Sequence, residues 1–208
     1  IKIKSDNRIS SELREIISKT KDRLIGVEIV EENANEIIMN CLISPAIVPL
    51  DKTLKRIHLL ALKMHEEALK SLLESDIELA KNVINRDEEV DRLYFLFVRE
   101  VRSAIQDPRI ADKIGLTPIQ CLDYRLIVKN LENIADLAVE IARKTIELSD
   151  KKISKLMQDY IKELAKLVDE IHQKSVQALL KQEFSLAYEV MTKRKAISIL
   201  LEKGNGSL

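Results

Sequence analysis

From Leu50 to about Lys203, apolar residues recur at helical spacing in long unbroken runs, and this period constrains the fold more than any other feature of the chain. The first run, about 51–74, places Leu54, Ile57, Ala61, Met64, Ala68 and Leu72 on one stripe. Asp76 can cap the second, which extends to about Gln106, where Asp107-Pro108 stops it. Gly115 and Pro118 bracket a third, about 118–148. Ser149-Asp150 starts a fourth, about 151–182, and a fifth runs from about Phe184 to Lys203. Helices of this length span roughly 40 Å at 1.5 Å per residue, and short loops between them favour an antiparallel bundle.

Residues 1–44 read differently. Ile1-Lys2-Ile3-Lys4 alternates with the period of a half-buried strand. Ser10 and Ser11 can cap a short helix that carries Leu13, Ile16 and Ile17 and has Glu12 near its positive end. Leu24–Val30 and Glu36–Ile43 are β-rich runs on either side of Glu31-Glu32-Asn33-Ala34-Asn35, a hairpin turn. The order is β-α-β-β, and Pro45 and Pro49 mark a linker to the helices. The expected fold is mainly α: a small α/β leader over 1–49, a three-helix repeat over 50–149, and an incomplete second repeat over 150–208.

The repeat rests on a shift of 107 residues. It lays His65-Glu66-Glu67-Ala68-Leu69 over His172-Gln173-Lys174-Ser175-Val176, and in the same register Leu79-Ala80 over Leu186-Ala187, Val83 over Val190 and Val90 over Ile197. The register holds ungapped across two helices and the loop between them, so the fourth and fifth helices repeat the first and second.

Composition narrows the function classes. Thirty-four Lys+Arg against thirty-four Asp+Glu leave a formal net charge of +0, without the basic surplus of a nucleic-acid domain. No apolar run reaches the roughly eighteen residues of a membrane span, and no signal peptide is visible, so the expected compartment is the cytoplasm, with no membrane insertion. Cys41 and Cys121 form neither a metal knuckle nor a disulfide framework. The chain has no GxSxG, P-loop, HExxH or GxGxxG motif and too little Gly for a phosphate-cradling loop, so an enzyme is not expected. The Glu-x-x-His pairs of carboxylate-bridged metalloenzymes are missing as well.

Two motifs could carry chemistry. Asp87-Glu88-Glu89-Val90-Asp91 and Glu132-Asn133-Ile134-Ala135-Asp136 share the spacing acid-x-x-x-acid, which puts both carboxylates of each on one helix face about 6 Å apart. Such a pair suits hard or borderline cations. At 100° per residue, Asp87 and Asp91 point into the apolar band of Ala80, Val83, Ile84, Tyr94, Val98, Val101 and Ile105, while Lys81, Glu88, Arg92 and Arg99 point away. Carboxylates on an apolar face are costly unless paired or metal-bound. Glu132 and Asp136 lie on the flank of their helix beside Arg125 and Lys129. The competing account is therefore salt bridging, by Lys129 to its own helix's acids and by Arg125 or Lys129 to Asp87 and Asp91. His65 and His172, at equivalent repeat positions, read as packed or hydrogen-bonded histidines.

The stretches Arg86-Asp87-Glu88-Glu89-Val90-Asp91-Arg92-Leu93 and Asp123–Ala138 resemble the PhoU family of phosphate-uptake regulators. The resemblance covers about 50–203 and implies two three-helix repeats, each with an acid-x-x-x-Asp motif on its second and third helices. It implies a metal site on Asp87, Asp91, Glu132 and Asp136, for a divalent or iron-type ion such as Fe, Zn, Mg or Mn. In the second repeat Arg194 and Ser198 replace the acids at the positions of Asp87 and Asp91, and Asn133 stands where the family usually has Arg. The leader, especially Arg23–Glu32, is similar to the segment ahead of the repeats in archaeal members, which carry an AbrB-like DNA-binding domain further upstream. A start at Ile1 leads us to expect residues upstream, with DNA contacted only through such a domain outside this chain. The resemblance further implies a regulator of phosphate homeostasis that contacts a phosphate transporter or a phosphate-signalling protein and acts within transcriptional control. Long amphipathic helices and an incomplete repeat predict a homodimer. The reading from a different class is a metal-free helical adaptor with no phosphate role.

Overall fold

The structure, a computed structural model, describes residues 1–43, 49–151 and 153–207. Helix makes up 77% of it, which places the chain in the mainly α class that the periodicity requires. The leader contains β1 (Lys2–Lys4), α1 (Ser11–Asp22), β2 (Val27–Glu32) and β3 (Glu36–Cys41). The long helices are α2 (Leu50–Glu74), α3 (Ile77–Gln106), α5 (Pro118–Glu147), α6 (Lys155–Lys181) and α7 (Phe184–Ser207), with a short α4 (Pro108–Ile114) between α3 and α5. Pro45, expected to mark the linker, lies outside the described residues.

The leader folds as its pattern dictates. Ser10 caps α1 by accepting from the Leu13 N–H at 3.2 Å, with Glu12 in the first turn. The strands form an antiparallel sheet in the order β1-β3-β2, so the chain's first residues pair with the second arm of the hairpin. Asn33 shapes that hairpin: its N–H donates to the Glu36 carbonyl at 2.9 Å, and its Oδ1 accepts from Asn35 N–H at 3.0 Å. Beyond Ile29, which faces Met39, the next register pair is Glu31 with Ile38; Val30 is thus the extra residue of a bulge that re-aims the end of β2. Ile9, Ile17, Val27, Ile37 and Met39 make the leader's core, with Ile3, Leu24 and Ile29 packed against it.

By packing, the chain forms two compact units. One comprises Ile1–Ile57 with Glu88–Glu132, the other His58–Asp87 with Asn133–Leu208. The helices α2, α3 and α5 each give one stretch to each unit. The boundaries at 49 and 149 expected from the sequence follow the repeat, whereas these follow packing, so the two divisions describe different properties. In the first unit the fully enclosed side chains are large: Leu54, Ile57, Val90, Phe97 and Val128. In the second they are mostly alanines, at 61, 68, 80, 135, 138 and 142, joined by Met64 and Val83. Small residues at a helix contact let backbones approach closely. The stripe read from the sequence on α2 lies among these residues, except for Leu72, which is half-buried. On α3 the expected band holds at Ala80, Val83, Tyr94 and Val101, but Ile105 is exposed.

Two expectations need correction. Asp107-Pro108 ends α3, yet it also begins α4: the Asp107 side chain accepts from Arg109 N–H at 2.9 Å, and Gly115 closes the helix in the left-handed region at φ 74°. Pro stops a helix when it falls inside one and starts a helix when it occupies the first turn, and here the same residue does both. The fourth long helix begins later than expected. Ser154, not Ser149-Asp150, caps it by accepting from Met157 N–H at 3.3 Å.

The 107-residue register is written into the backbone. Ser75 and Gln182, 107 residues apart, share the left-handed conformation at φ 55° and 53° and end α2 and α6. Asp76 N–H donates to the Ser71 carbonyl at 2.9 Å, and Glu183 N–H donates to the Ala178 carbonyl at 3.0 Å; both are six-to-one closures in the same register. α3 and α7 then begin at Ile77 and Phe184, again 107 apart.

Gly26 gives the leader a direct test. Its φ of +75° belongs to the left-handed region, and an added Cβ would lie 2.3 Å from Ile43 Cδ1. Gly26→Ala should lower unfolding stability by about 2 kcal/mol, from strain plus displacement of Ile43. Chemical denaturation checks this, and a variant as stable as wild type would show that the turn relaxes.

Candidate functional site

The first motif lies mid-helix on α3, where its side chains take four different environments. Val90 is fully enclosed in the first unit's core. Arg86 and Glu89, three residues apart and so on one face, both reach α2: Arg86 pairs with Glu67, and Glu89 pairs with Arg56. The Arg86–Glu67 pair is about three-quarters buried on both sides, so its geometry fixes how α2 and α3 meet in the second unit. Glu88 and Arg92 face solvent. Asp87 and Asp91 are half-buried, as expected from their angle toward the apolar band, and each is engaged by another group.

On α5, Glu132 and Asp136 part company. Glu132 is buried at 8% exposure, and its Oε2 is held by Lys129 Nζ one turn away. Asp136 is exposed. In the first unit, Arg125 and Lys129 also lie over the face of the Tyr94 ring, 5.1 and 5.6 Å from its centroid, and Tyr94 is one turn beyond Asp91. Cations over an aromatic face are stabilised by its quadrupole. The ring of Tyr124 stacks 6.4 Å from that of Phe97, completing the α3–α5 contact there. The intrahelical pairing of Lys129 with Glu132 is thus present. Among the described residues, no three His, Cys, Asp or Glu side chains are gathered so as to hold a metal ion.

Sequence reasoning missed a second polar cluster, in the second unit. His58 Nδ1 and His172 Nε2 lie 3.2 Å apart with their rings edge-on, one nitrogen donating to the other. His65 Nδ1 meets Asp169 Oδ1 at 2.8 Å. Both contacts join α2 to α6, and all three histidines of the chain take part. The signals were there: His58 precedes His65 by two helical turns beside the α2 stripe, and Asp169 precedes His172 by one. His65 and His172 are hydrogen-bonded histidines, as read. Burial pushes the His172 imidazole down to about 4, helped by His58 and His65 nearby, and burial lowers His58 as well. Burial raises the Cys121 thiol, which is consistent with a packing role.

Residues 54–145 match the family model of the PhoU domain. The chain carries a PhoU domain. Both acid motifs, Tyr94, Arg125 and Lys129 fall inside it, and the leader and α6–α7 fall outside. The PhoU family is a regulatory, non-enzymatic family of phosphate homeostasis, and its members typically interact with phosphate transport proteins. Neither a curated protein nor a solved structure matches the chain. No helix among the described residues is long and apolar enough to cross a membrane.

The histidine pair predicts a pH dependence. A folded-state pKa below the ordinary 6.5 means the unfolded chain binds more protons between about 4 and 6.5. The stability due to neutral His172 is therefore complete above about pH 6.5 and falls as pH drops toward 4, by on the order of 3 kcal/mol in total. Urea denaturation from pH 7.5 to 4 should show this loss, and His172→Gln should flatten it. Equal slopes in both proteins would assign the loss to other groups.

Proposed function

We propose that this chain regulates phosphate homeostasis by protein contact, as a cytoplasmic homodimer that engages a phosphate transporter component or a phosphate-signalling protein and takes part in transcriptional control through it. The observation that carries the reading is an apolar stripe on α5 of the PhoU domain: Ile119, Leu122 and Leu126 are 73%, 59% and 67% exposed, at three- and four-residue spacing. Contiguous exposed aliphatic residues on one helix face mark a docking surface for another helix.

In the host, deleting the gene should leave phosphate uptake or phosphate-responsive transcription unrestrained at high external phosphate. Wild type should restore restraint, while a Leu122→Asp, Leu126→Asp variant with unchanged helicity should not. Restoration by the variant would remove the stripe from the reading, and unaltered uptake in the deletion would favour the adaptor without a phosphate role. Light scattering at micromolar concentration should give twice 23.8 kDa.

Metal binding by Asp87, Asp91, Glu132 and Asp136 forms a separate part of the proposal, regulatory or structural in role. It requires Glu132 to give up its pairing with Lys129. Calorimetric titration with Mg, Mn, Zn and Fe decides it: binding should be saturable in wild type and at least tenfold weaker in Asp91→Asn. Equal binding, or none, leaves the salt-bridge arrangement as the whole account.

A further inference from the structure

The face of α3 beyond the first motif carries a feature that the PhoU reading does not use. Phe95, Arg99, Arg102, Ser103 and Gln106 follow one another at helical spacing, and together they line a cavity of about 550 Å³ in the first unit. The opposite wall is the leader: Leu24, Ile25, Val27, Met39 and Asn40. Two guanidinium groups therefore share one cleft with three neutral polar side chains, Asn40, Ser103 and Gln106, in otherwise largely apolar surroundings, and none of the lining residues is acidic. In a chain whose net charge is zero and whose surface carries many acid–base pairs, a wholly cationic cleft is a local departure.

Arg99 is held in place. Its Nη1 donates to the Ile25 carbonyl at 2.8 Å, next to Gly26, whose left-handed backbone shapes that turn. Its Nη2 is buried and meets no acceptor among the described residues. A buried guanidinium N–H is costly to leave without an acceptor, and arginine's planar fork matches oxyanions bidentately. Arg102, one turn on, is exposed at the cleft. Two positive charges and no negative one match a dianion better than a monocarboxylate. The volume lies within the range of small-molecule sites and exceeds what inorganic phosphate alone would fill. The apolar wall of Leu24, Val27, Met39 and Phe95 suits the body of an organic molecule.

We propose that the cleft between the leader and α3 binds a phosphate monoester with an apolar or aromatic body, its phosphoryl oxygens on Arg99 and Arg102 and its body against Val27, Met39 and Phe95. The leader is then the sensing half of a ligand site whose other half belongs to the PhoU domain. This rests on the cleft alone and is independent of the phosphate-homeostasis reading.

The test is calorimetric titration of the full chain with phenyl phosphate and with adenosine monophosphate, beside inorganic phosphate and adenosine as the separate parts. At least one monoester should bind with submillimolar affinity, at least tenfold tighter than either part, and increasingly weakly as salt rises. Arg102→Gln should weaken it tenfold or more. Arg99→Gln should do the same, but this change also removes the anchor to Ile25, so exposed Arg102 supplies the variant that keeps the fold. The proposal is overturned by failure of both monoesters to bind below millimolar concentration. It is equally overturned by binding that Arg102→Gln leaves unchanged, or by inorganic phosphate binding as tightly as the monoesters.

Discussion

Everything in the helical part depends on α2 being enclosed along its length. Leu54 and Ile57 in the first unit, and Ala61, Met64 and Ala68 in the second, have no exposed surface. Each fully buried Leu, Ile or Met side chain contributes roughly 1.5–3 kcal/mol relative to exposure. The polar contacts are arranged around that stripe. Glu67 and Arg56 tie α3 to it within their own units, Ser71 meets Thr145 of α5 at 3.2 Å, and His58 and His65 tie α6 to it. A substitution that opened the stripe would loosen the acid motif on α3 before touching any acid, because Arg86 and Glu89 are oriented through α2.

That arrangement explains why the acid motif is ambiguous in one dimension. Acid-x-x-x-acid fixes only that two carboxylates share a face. Which face, and what meets it, depends on neighbours far along the chain. Lys129 can reach Glu132 because both lie on α5 one turn apart, a relation that any helix would create. The cations over Tyr94 need α3 and α5 side by side in the first unit, which only the fold supplies. The region offers several cationic groups to its acids, and such pairing competes directly with a metal for the same oxygens.

The periodic features were legible in the sequence because they are local. Five of the six α2 stripe residues, the limits of α2, α3 and α5 to within a residue or so, the β-α-β-β leader and the half-burial of Asp87 and Asp91 follow from spacing alone. What escaped depends on residues with two uses or on long-range pairing. Pro108 closes one helix and opens another, and the period ahead of it cannot distinguish the two. Ile105 sits on the expected band of α3 but emerges into solvent near the helix end. Asp136 keeps the same face as Glu132 on paper, yet one additional turn carries it from a buried to an exposed position. The His58–His172 contact spans 114 positions, and no local pattern encodes it.

The repeat shows where local coding stops. The turn after α6 reproduces the turn after α2 down to its left-handed residue and its six-to-one hydrogen bond. Burial does not follow. Ala80, Val83 and Val90 are fully enclosed, whereas their counterparts Ala187, Val190 and Ile197 are exposed or half-exposed. α7 is instead held to α6 by polar contacts: Lys174 to Glu189 at 2.6 Å, Lys193 to Glu170, and Tyr160 to the Leu200 carbonyl at 3.4 Å. Ion pairs this exposed are screened by solvent and contribute little. α7 thus keeps the backbone start of α3 without its enclosed stripe. A turn is specified by a few residues and survives alone, but an enclosed stripe needs a helix on its other side. Phe184, Tyr188 and Met191, at four- and three-residue spacing on α7, stay largely exposed because no described element covers them. The second pair is therefore the less stable of the two by construction, and local opening of the chain should begin there.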